Sequence, residues 1–241
     1  MISQLRRIVR GNGYLFFLVS SVRRLRVAAQ TLNRSRVVRA YLATHDAANL
    51  QVGSGMIALE GWLNTDVIPR RPGVIPLDAA KRFPFRDSTF KQIFSEHQID
   101  QLSFENGRTM FKECYRVLKP GGTIRIACLS LDTLMALCAR EKTALQTEYI
   151  KWITDQYLPD VDVYSGAVVA NNAFYSWGHK FLYDSSSLEA SLNEAGFVNV
   201  SRHSPGESEN PEMRGLESHG RAVGNEKMND FETMVLEGTK P

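Results

Sequence analysis

A doubly wound α/β domain is the fold this 241-residue sequence predicts, and three observations predict it. The apolar strand Leu50-Gln51-Val52 runs directly into Gly53-Ser54-Gly55. A second short strand, opened by Gly61-Trp62-Leu63, ends in the carboxylate of Asp66. Farther on, a helical stretch at about Phe104–Leu118 stops at Lys119-Pro120-Gly121-Gly122 and yields to the apolar strand Thr123–Leu129. Glycines let a backbone approach a ligand closely, because a Cβ there would collide with it. An acid closing the next strand can accept from ribose hydroxyls. The pairing therefore sets a nucleoside-like cofactor over the edge of a parallel sheet.

The segment Gly53-Ser54-Gly55-Met56-Ile57-Ala58 fits the dinucleotide pattern G-x-G-x-x-G/A. That pattern needs a full helix after the glycines, to hold a pyrophosphate, and an acid about 20 residues on. Here Asp66 follows Gly55 by only 11 residues. Parallel crossovers normally take a dozen residues or more, so Met56–Glu60 is predicted to be a loop or a single turn. A cofactor with a ribose and no phosphate fits better than a nicotinamide dinucleotide. A third strand, Val74–Ala79, carries Asp78 near its end. The turn Phe83–Phe90 leads to a fourth strand, Gln92–Ser95, followed by Glu96-His97.

In this order the motifs resemble the class I S-adenosylmethionine-dependent methyltransferases. The likeness is to the type 11 branch found among glycan and polysaccharide biosynthesis proteins. It covers Asn49–Leu131 strongly and returns at Leu188–Val200 and Phe231–Lys240. The resemblance implies a Rossmann-like, doubly wound, seven-stranded, mostly parallel sheet whose last strand is antiparallel. It also implies S-adenosylmethionine as methyl donor, S-adenosylhomocysteine as product and no metal. Cofactor contacts are implied at Val52, Gly53, Ser54, Gly55, Asp66, Val67, Asp78, Ala79, Ser95, Glu96 and His97. Asp78 would accept from the adenine amino group; its alternative role is a helix N-cap. Many relatives read E-H-x-x-E-H after the fourth strand, where this chain has Glu96-His97-Gln98-Ile99-Asp100-Gln101. The second His is lost and the second acid shortened, so a dyad built from that second pair is not expected.

Between the fifth and sixth strands lies an insertion, Ser130–Lys180, with a helix predicted over Leu131–Tyr157 and aromatics beyond it. Asp184–Ser187 caps a helix, Leu188–Ala195, that closes at Gly196. The sixth strand is expected near Phe197–His203 and the last near Phe231–Glu237. A long polar loop, Ser204–Asp230, separates them, and loops of that length are usually functional or disordered. Segments 130–183 and 204–230 together are expected to cover the acceptor. Tyr175, Trp177, His179, Tyr183, Arg214, Glu217 and His219 are the candidate substrate contacts. Aromatic faces beside polar groups suit a sugar, although the same aromatics suit a core. An acceptor hydroxyl benefits from a base that takes its proton. His97 is the first candidate for that base and His179 the second. Methyl transfer to a saccharide or glycoconjugate hydroxyl is the expected reaction. A lipid or quinone-like acceptor is the alternative, as is a non-catalytic scaffold of the same fold.

Composition divides the chain in two. Residues 1–45 hold nine arginines (6, 7, 10, 23, 24, 26, 34, 36 and 39) and no Asp or Glu. The remainder, 46–241, has 20 basic and 26 acidic residues, so the net charge of +3 arises in the arm. Leu15, Leu18, Val22, Leu25, Ala29 and Leu32 recur at helical spacing. The apolar run Tyr14–Val22 is far shorter than the ~20 residues that span a bilayer. A basic amphipathic helix on an anionic membrane surface is one reading. A helix that covers the domain or pairs with its copy in a homodimer is the other. Nothing resembles a base-reading module, so nucleic acid is not an expected partner. Cys114, Cys128 and Cys138 make no C-x-x-C pair, which suits reduced, buried thiols in a cytoplasmic protein. No His, Cys and carboxylate cluster has metal-ligand spacing.

Overall fold

A strand segment buried at every position, such as Ile124–Leu129, suits a sheet covered on both faces. The computed structural model describes residues 13–241. Residues 1–12, with Arg6, Arg7 and Arg10, lie outside the described residues, as do the side chains of Leu15 and Leu18. Helix α1 (Gly13–Thr44) leads into β1 (Asn49–Val52), β2 (Leu63–Asp66), β3 (Ile75–Pro76) and β4 (Phe90–Glu96). Helix α2 (Phe104–Val117) and β5 (Leu118–Leu129) follow. The insertion holds α3 (Leu131–Ala136), α4 (Ala144–Tyr157) and α5 (Gly166–Tyr175). Then come α6 (Ser185–Ala195), β6 (Val198–His203), α7 (His219–Val223), α8 (Glu226–Glu232) and β7 (Thr233–Thr239).

The seven strands stand in the order β3-β2-β1-β4-β5-β7-β6. β7 is antiparallel to both β5 and β6, and the other neighbours are parallel. Leu50 pairs with Leu63 on one side and Ile93 on the other, so β1 and β4 flank the point where the winding reverses. Ligands in such sheets bind in the crevice outside the carboxyl ends of those strands. No helix separates β1 from β2, in keeping with the short crossover.

Ser103 caps α2, whose Gly107, Met110, Phe111, Cys114 and Val117 form one buried face at helical spacing. A Cβ at Gly107 would lie 2.6 Å from the Tyr183 hydroxyl, so α2 needs glycine there to pack on that ring. Two sequence expectations are corrected in the insertion and beyond. The helix expected over Leu131–Tyr157 is broken in two, because Thr143 and Gln146 form a capping box that starts α4 afresh. The expected loop Ser204–Asp230 contains a short turn of helix, Pro211–Met213, together with α7 and most of α8. It is held in place by Arg125, which is fully buried. Its Nε lies 2.6 Å from Glu217 Oε1 and its Nη1 2.6 Å from Glu237 Oε1, and Nη1 also donates to the Glu207 carbonyl at 2.8 Å. The insertion has a core of its own, with Leu134, Tyr149, Ile153, Val169 and Met228 against Leu129.

Among the described residues, α1 packs on the core through its last part, by Val37, Val38, Tyr41 and Leu42. Val22, Leu25 and Leu32 are 66%, 72% and 88% exposed. No helix among the described residues is long and apolar enough to cross a membrane. Cys114 and Cys128 are buried, and burial pushes both thiols up, whereas Cys138 is exposed, against the expectation that all three are inside.

Candidate active site

Two cavities of about 340 Å³ each open at the carboxyl edge of the sheet, and Gln101 lines both. The first is built on the β1 loop. Gly53 and Gly55 have φ of 78° and 55°, a left-handed conformation that favours glycine. The Gly53 and Ser54 amides donate to the Thr65 carbonyl at 3.0 and 2.8 Å, which ties the loop to β2. The Asp66 carboxylate accepts from the Gly55 amide at 2.9 Å and the Ile68 amide at 2.8 Å. A carboxylate has about four acceptor positions, so two remain. Asp78 accepts from the Ala80 amide at 3.1 Å and pairs with Lys81 at 2.9 Å. Burial pushes its carboxyl up, but the Lys81 and Ala80 hydrogen bonds outweigh that and hold it below the usual range. The cap-like role weighed for Asp78 is thus present.

Val52, Gly53, Val67, Asp78 and Ala79 line this cavity, joined by Gln98, Asn106 and Lys180, which sequence reasoning missed. A Cβ on Gly53 would meet Gln98 Oε1 at 2.4 Å, so the neighbouring glutamine alone already demands glycine there. Ser54 Oγ is buried without a partner. Ser54, Gly55, Asp66, Ser95 and Glu96 line neither cavity. Ser95 Oγ donates to the Val52 carbonyl at 2.9 Å. Glu96 accepts from the Ser218 and His219 amides at 3.0 and 2.9 Å, fixing the start of α7.

The second cavity is lined by His97, His179, His219 and Glu232 together with Leu129, Trp152, Ile153, Tyr157, Trp177 and Val223. Tyr157 makes edge-on contacts with Trp152 and Trp177 at 5.7 and 5.6 Å, which gives one aromatic wall. His97 has φ 46°, a costly backbone for a residue with a side chain. Its amide is anchored to the Ala127 carbonyl at 2.9 Å, and its Nδ1 lies 3.6 Å from Asp100 Oδ2. Asp100 is fully buried; one oxygen accepts from the Leu129 amide at 3.2 Å and the other has no partner. The acid set aside in the sequence thus faces the first histidine rather than a second. Burial pushes His97 down, yet the carboxylates of Asp100, Glu232 and Glu96 outweigh it and hold it above its ordinary value. His219, with its ring 4.4 Å from that of His97, is pushed down to about 4 by burial and by the His97 charge. Burial raises the Glu232 carboxyl, which accepts from the Tyr149 hydroxyl.

The structure separates the other candidate contacts. His179 is held at Nδ1 by the Ala173 carbonyl at 2.8 Å. Tyr175 ends α5 at 84% exposure, outside the cavity. Tyr183 is a core residue with no exposure, packed over Gly107. Arg214 is exposed and donates to the Ser208 carbonyl at 2.6 Å. Glu217 is taken up by Arg125 and by the Gly206 amide at 2.8 Å. Trp152, Tyr157, Glu232 and Asp100 were missed. For Asp100, the i, i+3 spacing from His97 was the available signal.

Residues 37–126 match the family described as "Methyltransferase domain". No curated protein matches the chain. Among solved structures, the chain is similar to an S-adenosylmethionine-dependent methyltransferase from Archaeoglobus fulgidus. Identity is 16% and TM-score 0.47, over 93% of this chain and 99% of that one. A counterpart from Mesorhizobium loti is 12% identical with TM-score 0.46, over 80% and 90%. The Haemonchus contortus phosphoethanolamine N-methyltransferase 2 is 13% identical with TM-score 0.41, over 80% of this chain and 48% of that one, so the chain spans about half its length. The match takes in the end of α1, β1 to β4 and most of β5, within a doubly wound, seven-stranded sheet.

Proposed function

We propose that the chain transfers the methyl of S-adenosylmethionine to a hydroxyl of a saccharide or glycoconjugate. The observation that carries this reading is His97, backed by buried Asp100, on an aromatic-walled cavity that meets the β1-loop cavity at Gln101. The residues on and beside the β1-loop cavity fit the cofactor. Asp66 has acceptor positions left for two ribose hydroxyls, Ser54 Oγ lacks a partner, and Asp78 faces the cavity beside Ala79. When bound, the cofactor supplies a methyl already made electrophilic by its sulfonium.

The chain's own residues then have three tasks. Trp152, Tyr157 and Trp177 present ring faces to the apolar face of a sugar, while Glu232, His179 and His219 offer polar atoms to its hydroxyl rim. Holding the acceptor in line with the methyl supplies most of the rate, as positioning does in other transfers. Neutral His97 takes the hydroxyl proton at Nε2 while Asp100, facing Nδ1, steadies the cation that forms. His219 stays neutral at pH 7, which lets its ring lie against a protonated His97.

Methyl transfer from labelled cofactor to a panel of glycans, glycolipids and phenols tests the acceptor class. Label on sugar hydroxyls is the expected result; label confined to phenols or fatty acyl acceptors replaces the reading with a quinone or lipid one. For the cofactor, Asp66→Ala is expected to weaken S-adenosylhomocysteine by roughly 1.5–3 kcal/mol in calorimetry. Asp66→Asn, which keeps one acceptor oxygen for the loop amides, should fall between. Unchanged affinity in both removes the ribose assignment.

We also read α1 as a peripheral anchor on an anionic membrane. Exposed Val22, Leu25 and Leu32 on an arm of nine arginines support it. Full-length protein is expected to sediment with anionic vesicles at low salt and to be released by high salt, at about 1 kcal/mol per basic residue near the surface. Removal of residues 1–40 should abolish this while cofactor binding survives. A full chain that ignores such vesicles returns α1 to a packing or dimer helix.

A further inference from the structure

A third cavity, of about 600 Å³, lies away from both ligand cavities, between the last turns of α1 and the turn before β4. Its floor is apolar, formed by Val38 and Leu42 of α1 and by Pro84 and Phe85. Its rim carries the guanidiniums of Arg34, Arg39 and Arg86, with the hydroxyls of Ser35 and Thr89. Among the described residues none of these three arginines has a carboxylate partner. Arg34 donates to the Pro76 carbonyl at 3.2 Å and Arg39 to the Ser35 carbonyl at 3.3 Å, so each keeps further N–H groups free. The nearest acid in sequence, Asp87, is already engaged by Arg116 at 2.7 Å.

Three unneutralised guanidiniums around one hollow repel each other unless an anion sits among them, and their forked donors match phosphate oxygens. The hollow is far larger than a phosphate and falls in the range of drug-sized ligand sites. Its floor adds apolar surface that a bare phosphate leaves exposed. The ligand that satisfies rim and floor together is a phosphate carrying a hydrocarbon tail. We infer that the cleft between α1 and Pro84–Thr89 is a binding site for an anionic phospholipid, with the phosphate among Arg34, Arg39 and Arg86 and the start of an acyl chain over Val38, Leu42 and Phe85. The site needs no methyl transfer to exist. It gives the arginine-rich arm a specific lipid seat beside its diffuse charge, which raises affinity for membranes that carry a phosphomonoester or phosphodiester headgroup without a cation.

Calorimetry on the full chain with dihexanoyl phosphatidate, dihexanoyl phosphatidylcholine and sn-glycerol 3-phosphate tests the site in solution. The phosphatidate is expected to bind at least about tenfold more tightly than either of the others. The double variant Arg39→Ala/Arg86→Ala should weaken it by about tenfold or more, with S-adenosylhomocysteine affinity unchanged. Should that variant lose S-adenosylhomocysteine as well, Arg86→Glu on its exposed turn repeats the test with a single change. Glycerol phosphate binding as tightly as the lipid would overturn the role of the apolar floor. Phosphatidate affinity that survives both variants, or no binding to the wild type, would overturn the site. Since S-adenosylhomocysteine is measured in the same cell, failure here is distinct from failure of the methyltransferase reading.

Discussion

Replacing His97 with alanine is expected to lower turnover by about 10²–10⁴-fold, the span of a lost general base. S-adenosylhomocysteine affinity should stay near wild type, because His97 lines the aromatic cavity and not the cavity of the β1 loop. Asp100→Asn should cost less, since the amide oxygen can keep the Leu129 N–H while the charge opposite Nδ1 is gone. His179→Ala should mainly raise the acceptor KM, as a contact that orients rather than reacts does. Steady-state kinetics on one labelled acceptor separates the three. Wild-type turnover in His97→Ala would move the base elsewhere, with His219 next in line at a ring distance of 4.4 Å.

The largest stability effect is expected at Arg125. Arg125→Met removes the cation between Glu217 and Glu237 and leaves two buried carboxylates facing each other's field. Breaking a buried pair in this way costs about 3–5 kcal/mol, a large part of the 5–15 kcal/mol typical of a domain. Urea unfolding should show the loss as a lower midpoint. Replacing Arg125, Glu217 and Glu237 together by apolar residues of similar size should recover most of it, because no charge is then stranded. A single variant within 1 kcal/mol of wild type, roughly the worth of an exposed pair, would mean that water reaches the cluster.

The strand ends and loop around the β1-loop cavity were legible because they are local. Gly53, Gly55, Asp66 and Asp78 each sit at a strand end, and strand ends can be read from short apolar runs. The missing helix at Met56–Glu60 followed from counting residues. The aromatic cavity depends on contacts that spacing does not encode. Trp152 and Tyr157 look like ordinary helix aromatics until α4 docks against Leu129. Tyr175 and Trp177 are near neighbours in sequence, yet only Trp177 reaches the cavity because Tyr175 ends α5 on its exposed side. Glu217 and Glu96 were polar residues in search of a ligand, and both are spent on the fold. Glu217 meets Arg125 from 92 residues away, and Glu96 caps amides 122 residues on. The break before α4 is a competition in which one capping box outweighed a continuous helical pattern.

The pH dependence of kcat/KM tests the assignment of the base most directly. His97 must be neutral to accept a proton, and its neighbouring carboxylates hold it above 6.5. The rate should therefore climb with unit slope through a pKa above 6.5 and level off in alkali. The stability that those carboxylates lend to protonated His97 runs the other way. It is complete below 6.5 and is lost as pH rises through the raised value. Asp100→Asn should move the midpoint of the rate profile downward, toward or below 6.5. A flat profile from pH 5 to 9, or a midpoint that Asp100→Asn leaves in place, would contradict the His97–Asp100 pair as the base of this methyl transfer.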